Sequence, residues 1–202
     1  MRLKNIFIIL FFFIIPIKSY GLIEVDITRG NLNPLPIAIS SLSSDDSTKN
    51  QLSNLLKVQD VGLEISKVIE NNFRQSGLFN PLDKDSFLQK PDIAHLKPRF
   101  EDWNLIKAQA LITGKVSYTK EKLRVEFRLW DVLAAKEMMA LAFTTVPKNW
   151  RRVGHIISDK VYERLTGEKG YFDTRIIYVA EEGPKTKRIK KLAIMDQDGA
   201  NN

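Results

Sequence analysis

Residues 108–143 read AQALITGKVSYTKEKLRVEFRLWDVLAAKEMMALAF and alternate between apolar and polar side chains in three successive runs. A period of two residues is typical of a β-strand with one buried face. The apolar positions are Ala108, Ala110, Ile112, Val116 and Tyr118, then Leu123, Val125, Phe127 and Leu129, and finally Met139, Leu141 and Phe143. Because the turns at 119–122 and 133–136 are short, the pattern predicts an antiparallel three-stranded meander.

Two amphipathic helices flank this meander. The first follows Asp60, a plausible N-cap, and ends at Gly77, while the second runs from about Asn149, also a plausible N-cap, to Gly167. Apolar residues recur at helical spacing at Val61, Ile65, Val68, Ile69 and Phe73, and at Val153, Ile156, Ile157, Val161 and Leu165. Since each apolar stripe is one-sided, we expect both helices to cover one sheet face, giving a two-layer mixed α/β fold.

The segments between these elements give weaker signals. Residues 35–39 form an apolar run typical of a strand, and residues 40–49 are polar and predict a loop. Residues 79–98 contain three prolines and predict a connector with one helical turn at 86–89.

The sequence after Gly167 predicts a β-hairpin, with strands at 175–180 and 189–195 and a tight turn at 196–199. A lone two-stranded hairpin is only marginally stable in water, so these residues predict the start of a β-structure whose remainder lies outside this sequence. We therefore expect residues 22–167 to fold independently, and removal of 168–202 to leave the thermal unfolding transition unchanged.

Residues 1–21 have the features of a secretory signal peptide. A basic start at Arg2 and Lys4 precedes an apolar run, and Ser19 and Gly21 fit a cleavage site that would leave Leu22 as the first mature residue. The run is shorter than the roughly 20 apolar residues of a spanning helix, so we expect export without stable membrane insertion.

The composition argues against most enzyme classes. The chain has no cysteine and only two histidines, His95 and His155, which disfavours thiolate metal sites, thiol catalysis and a conventional hydrolytic triad. We expect no cofactor and no metal. The net charge of +7 is concentrated in the signal segment and in residues 185–191. The body of the chain shows no basic face, so we expect no nucleic-acid partner.

Four local features have ordinary structural interpretations. His155 and Asp159 lie four positions apart and predict a surface pair on the second helix rather than a metal or catalytic pair. Residues 196–199, DQDG, lack the remaining ligands of a calcium loop and predict a hairpin turn. The basic run 187–191 predicts the solvated face of an outer strand. The tryptophans Trp103, Trp130 and Trp150 are expected at core or rim positions.

Several longer motifs resemble the TolB family of the Tol-Pal envelope system. The most specific is TGEKGYFDT at 166–174, which follows DKVYERL at 159–165 and precedes LAIMDQDGAN at 192–201. The segments QSGLF at 75–79, FEDW at 100–103, ALITGKV at 110–116 and WRRV at 150–153 also match. The resemblance runs over nearly the whole expected mature chain.

This resemblance implies an N-terminal α/β domain at 22–167 and, at 168–202, a linker and the first hairpin of a six-bladed β-propeller that is otherwise absent from this sequence. It also implies a non-enzymatic periplasmic protein that links inner-membrane Tol proteins to the outer-membrane and peptidoglycan side. Such a protein maintains envelope integrity and supports outer-membrane invagination in cell division. In the family the propeller contacts the lipoprotein Pal, and those positions are missing here.

The candidate binding residues are Ile23, Glu24, Val25, Asp26 and Ile27. Their alternation of apolar and acidic side chains fits either a segment that adds a strand to a partner's sheet or an edge strand of its own domain. The resemblance favours the first interpretation, because the matching position in the family contacts TolA.

Two other functions remain open on sequence alone. The chain could come from an exported propeller-type hydrolase or ligand-binding protein whose site lay in the missing C-terminal part. It could also be an exported adaptor that works without a propeller.

Overall fold

The computed structural model describes residues 33–201. Over this range the helices are α1 Asp46–Leu56, α2 Val61–Ser76, α3 Pro91–Ala94, α4 Phe100–Leu105 and α5 Trp150–Thr166. The strands are β1 Leu35–Ile39, β2 Phe79–Pro81, β3 Ala110–Thr119, β4 Lys122–Asp131, β5 Lys136–Thr145, β6 Arg175–Glu182 and β7 Ile189–Asp196.

Strands β1 to β5 form one mixed sheet in the order β2-β1-β3-β4-β5. Strand β1 is parallel to both β2 and β3, whereas β3, β4 and β5 are antiparallel. The pairing of β3 with β4 runs without interruption from Ala110↔Asp131 to Thr119↔Lys122. The predicted meander and the strand at 35–39 are therefore confirmed.

Helices α2 and α5 lie on one face of this sheet and enclose the main core. Asp60 caps α2 by accepting the backbone N–H of Leu63, and Gly77 ends the helix in the left-handed conformation. Gly167 ends α5 in the same way. The two-layer mixed α/β fold is confirmed. Asn149 occupies the N-cap position of α5 as predicted, but its side chain donates to Thr145 Oγ1 and makes no capping hydrogen bond.

The opposite sheet face is covered in part by the segment between β2 and β3. Trp103 of α4 is buried there against Ala38 and Leu111, and its indole N–H donates to Gln89 Oε1 at 3.1 Å. The predicted helical turn at 86–89 is wrong, since the 3₁₀ turn spans Lys84–Ser86 and α3 follows at Pro91.

The polar segment 40–49 also differs from its prediction as a loop throughout. Helix α1 begins within it, at Asp46, because Asp45 accepts the backbone N–H of Thr48 at 2.8 Å and acts as the N-cap. Only two side chains of this helix, those of Thr48 and Leu52, are buried. Its sequence therefore lacks the repeat of apolar residues at helical spacing that would have predicted a helix.

The segment between α5 and β6, residues 167–174, packs into the main core, and we call it the connector. Phe172 is 1% exposed and lies edge-on to Phe73, with 6.1 Å between the ring centroids. Asp159 holds the connector by accepting the backbone N–H groups of Phe172 and Asp173. Because Phe172 lies beyond Gly167, we now expect removal of 168–202 to destabilise the domain, which reverses the expectation from sequence.

Strands β6 and β7 form the predicted hairpin as a separate two-stranded sheet. Over residues 33–201 the strands close into neither a barrel nor a propeller. Within the same range no helix has both the length and the apolar character needed to cross a membrane.

Candidate functional site at the junction of helix α5 and the C-terminal hairpin

The predicted partner-binding residues Ile23, Glu24, Val25, Asp26 and Ile27 lie outside the described residues. Strand addition by this segment therefore stays a prediction. The strand that follows it, β1, is hydrogen-bonded to β2 on one side and β3 on the other. Strand β1 itself thus offers no free edge to a partner.

A buried polar cluster joins helices α2 and α5 to the turn after β7; we call it the junction. Gln197 of the turn donates from Nε2 to Asn72 Oδ1 at 2.8 Å. The Asn72 amide nitrogen in turn faces Ser158 Oγ at 2.8 Å and His155 Nδ1 at 3.1 Å. Asn72, His155 and Ser158 are all buried, so these hydrogen bonds form away from water.

The hydrogen-bond network assigns the proton on His155. With the Asn72 and Gln197 amides oriented as they are, Gln197 donates to the Asn72 oxygen, the Asn72 amide nitrogen donates, and His155 Nδ1 accepts. The imidazole proton then sits on Nε2, which lies 3.6 Å from Asp198 Oδ2 and has no hydrogen-bond partner.

Charged groups surround this imidazole. Arg151, one turn earlier on α5, pairs with the Asp198 carboxylate. Burial lowers the pKa of His155 below its ordinary value, and the Arg151 charge adds to that effect, while Asp198 acts in the opposite direction. The arrangement therefore favours a neutral imidazole beside an Arg151–Asp198 ion pair.

His155, Asp196 and Asp198 could each offer one metal-ligating atom, and these atoms lie within 4.8 Å of one another. The set does not fit a metal ion. Nε2 of His155 carries the proton, Asp198 is paired with Arg151, and Asp196 already accepts from the Asn201 amide. A cation would have to displace a guanidinium and reverse the Asn72 hydrogen bonds.

The predicted surface pair of His155 and Asp159 is wrong. His155 is only 2% exposed and faces Asn72 and Asp198, whereas Asp159 binds the connector. The four-residue spacing of the two side chains places them on one side of α5. His155, however, packs against α2, and Asp159 binds the connector, so the two side chains have different partners. The tight turn after β7 is confirmed, with the backbone N–H of Gly199 donating to Asp196 O at 2.9 Å.

Two further expectations agree with the structure. The basic run 187–191 is exposed on the hairpin and forms ion pairs with Glu181 and Glu182. Trp103 is buried, while Trp130 and Trp150 pack at the rims of the two cores.

The other histidine, His95, lies beside a recess on the open sheet face that is lined by Lys115, Glu126 and Arg128. Its Nδ1 is 3.1 Å from Ser43 Oγ and 3.4 Å from the backbone oxygen of Pro91. Among the described residues, no carboxylate is hydrogen-bonded to His95, so this serine–histidine pair lacks the orienting acid of a hydrolytic triad.

Comparisons with known proteins agree with the sequence motifs. The model of the TolB amino-terminal domain matches residues 23–138. The chain is 77% identical over all 202 residues to the Tol-Pal system protein TolB of Pelagibacter ubique (strain HTCC1062) and spans 45% of that relative's length. The crystal structure of TolB from Acinetobacter baumannii superposes with a TM-score of 0.65 at 22% identity, covering 88% of this chain and 40% of that one.

Proposed function

The chain belongs to the TolB family, and we propose that it acts as a non-enzymatic component of the Tol-Pal system in the periplasm. The observation that carries the proposal is its 77% identity to a Tol-Pal system protein along the whole chain. The domain would help to link inner-membrane Tol proteins to the outer-membrane and peptidoglycan side. In that role it would support envelope integrity and outer-membrane invagination during division.

The proposed contact with TolA uses the segment of Ile23, Glu24, Val25, Asp26 and Ile27. The three apolar side chains would enter pockets on the partner, and the two acidic ones would face solvent or basic groups. Backbone N–H and C=O groups would extend the partner's sheet. Because β1 is paired on both sides, the segment could add to its own sheet only at the edge strands β2 or β5.

Two further parts of the proposal concern export and Pal. Residues 1–21 would direct export and be removed, leaving Leu22 as the first residue. A contact with Pal through a propeller is the second part, and the chain spans 45% of its relative's length.

Calorimetric titration tests the TolA proposal. We expect the C-terminal domain of the cognate TolA to bind residues 22–202 but not a variant that lacks 22–27. Val25→Pro removes one ladder donor and should weaken binding by about 1–3 kcal/mol. Val25→Ile keeps the donor and the apolar side chain and serves as the control. Equal affinity for the complete and shortened chains would contradict strand addition.

A further inference from the structure

We propose that the recess beside His95 on the open face of the five-stranded sheet binds a phosphate group. Lys115 and Arg128 would neutralise the phosphate charge, and Nε2 of His95 would accept a hydrogen bond from its P–OH group. The site uses residues on or next to α3, β3 and β4. It goes beyond the proposed function, because it involves neither residues 23–27 nor the junction.

The recess lies where the residues that follow α3 meet two strands of the sheet. His95 and Leu96 line it together with residues 114–115 of β3 and 126–128 of β4, around a volume of about 400 Å³. A phosphate ion fills only part of this volume, so a group esterified to the phosphate also finds room. Leu96, which is 70% exposed, offers that group an apolar contact.

Lys115 supplies the first positive charge of the recess. Its side chain is exposed and forms no ion pair within residues 33–201. Asp45 interacts with this charge at longer range, but both Asp45 carboxylate oxygens accept hydrogen bonds from Thr48. The Lys115 ammonium group therefore remains available to an anion.

Arg128 supplies the second positive charge, and its neighbours hold it in place. Its guanidinium carbon lies 6.0 Å from the centroid of the Trp130 ring, and its Nε is 3.6 Å from Glu137 Oε2. The two terminal nitrogens of Arg128 keep N–H donors for a ligand. Glu126, the carboxylate of the recess, accepts from Arg124 Nε at 2.7 Å, so the recess keeps a net positive charge.

The hydrogen bonds of His95 decide which ring nitrogen is left for a ligand. Nδ1 lies 3.4 Å from the carbonyl oxygen of Pro91 and 3.1 Å from Ser43 Oγ, whose own proton goes to the carbonyl of Gly114. Because a carbonyl oxygen can only accept, Nδ1 carries the ring proton. In the neutral imidazole the lone pair is then on Nε2, which has no hydrogen-bond partner within the described residues.

These three groups together select phosphate over anions that carry no proton. A singly protonated phosphate offers a P–OH donor to Nε2 and charged oxygens to Lys115 and Arg128. Sulfate has the same tetrahedral shape but no proton at neutral pH, so one of its oxygens would face the Nε2 lone pair. The site should therefore bind phosphate more tightly than sulfate.

NMR titration of residues 22–202 at neutral pH and constant ionic strength tests this selectivity. We expect inorganic phosphate to give saturable shifts in the His95 ring and in the amides of Gly114 and Lys115, and sulfate to bind about tenfold more weakly or less. Equal responses to the two anions, or no saturable response to phosphate, would overturn the proposal.

Substitutions assign the response to the recess. Lys115→Gln and Arg128→Gln should each weaken phosphate binding by about tenfold. His95→Phe should abolish the preference for phosphate over sulfate. Lys187→Gln removes the same charge from the exposed end of the hairpin and should leave binding unchanged. A loss in Lys187→Gln as large as in Lys115→Gln, or an unchanged preference in His95→Phe, would contradict the site.

Co-sedimentation with vesicles distinguishes a lipid headgroup from a soluble phosphate compound. If the phosphate belongs to a lipid, the chain should sediment with phosphatidylcholine vesicles that contain phosphatidic acid, and Lys115→Gln and Arg128→Gln should stay in solution. If it belongs to a soluble compound, inorganic phosphate should bind while the vesicles leave the chain in solution. Sedimentation that neither substitution reduces would exclude the recess as the lipid site.

Discussion

Two antiparallel hairpins of similar sequence pattern behave differently in this molecule. In β4 the residues Leu123, Val125, Phe127 and Leu129 are at most 1% exposed, because helices α2 and α5 lie over that face of the sheet. In the hairpin β6–β7, by contrast, apolar side chains such as Val179 are more than half exposed, at 59%. The β3–β4 hairpin and the β6–β7 hairpin are both paired along their whole length. Backbone pairing thus fixes the register of a hairpin, but burial of its side chains depends on a covering layer.

The second hairpin is instead fixed to the domain at its ends. The connector before β6 inserts Phe172 into the core, and the turn after β7 enters the junction. This contrast divides the C-terminal region into a buried connector and an exposed hairpin. The three predictions below test that division.

The largest effect should come from cutting the chain on either side of the connector. A chain that ends at Gly167 loses Phe172, and we expect its free energy of unfolding to fall by about 3–5 kcal/mol, as for removal of a buried aromatic ring. A chain that ends at Thr174 keeps that ring and should lose far less. Urea denaturation followed by tryptophan fluorescence compares the two. Equal stability would show that the connector contributes nothing to the core.

A smaller effect is expected from replacing one valine by threonine in each hairpin and comparing the loss of stability. Val125→Thr places a hydroxyl at a position with 0% exposure and should cost about 1–3 kcal/mol. Val179→Thr makes the same change on the exposed hairpin and should alter stability by less than about 0.5 kcal/mol. Thermal unfolding of both variants checks the difference. A comparable loss in Val179→Thr would mean that β6 is covered in solution, for example by a second copy of the chain.

The smallest effect should come from the exposed ion pair that joins α5 to the connector. Arg152 pairs with Asp173, but its side chain is 61% exposed and the pair is open to solvent screening. We expect Arg152→Ala to cost about 0.2–1 kcal/mol at low salt and less at high salt. Urea denaturation at two ionic strengths measures this. A salt-independent loss would indicate that the aliphatic part of Arg152, rather than its charge, supports the connector.

The sequence predicted elements whose signals are local. Helix α2 was found with both ends because Asp60 and Gly77 carry the chemistry of a cap and a stop, and the meander was found from its strict alternation. Helix α1 was missed because only two of its side chains are buried. At α5 the N-cap position was predicted at Asn149, but the sequence did not show that its side chain donates to Thr145 Oγ1 and leaves the helix without a side-chain cap.

The junction could not be predicted from local patterns. Asn72 and Gln197 are separated by most of the chain, and each looks like an ordinary polar residue in its own segment. His155 was noticed, but its neighbour in sequence, Asp159, suggested the wrong partner. One available signal was the position of His155 among the apolar residues of α5, which indicates a buried imidazole that needs a hydrogen-bond partner.

The central place of β1 in the sheet has a consequence for the order of folding. Ile37 pairs with Pro81 on one side and with Ala110 on the other, so β1, the first strand within residues 33–201, can be paired only after residues much later in the sequence are available. In any process that delivers the chain from its N-terminus, such as synthesis or translocation, one edge of β1 stays unpaired until β2 arrives and the other until β3 arrives. Closing so long a loop is slow, and an open apolar strand can pair with other chains meanwhile. We therefore expect the early chain to need protection from aggregation until residue 112 has emerged.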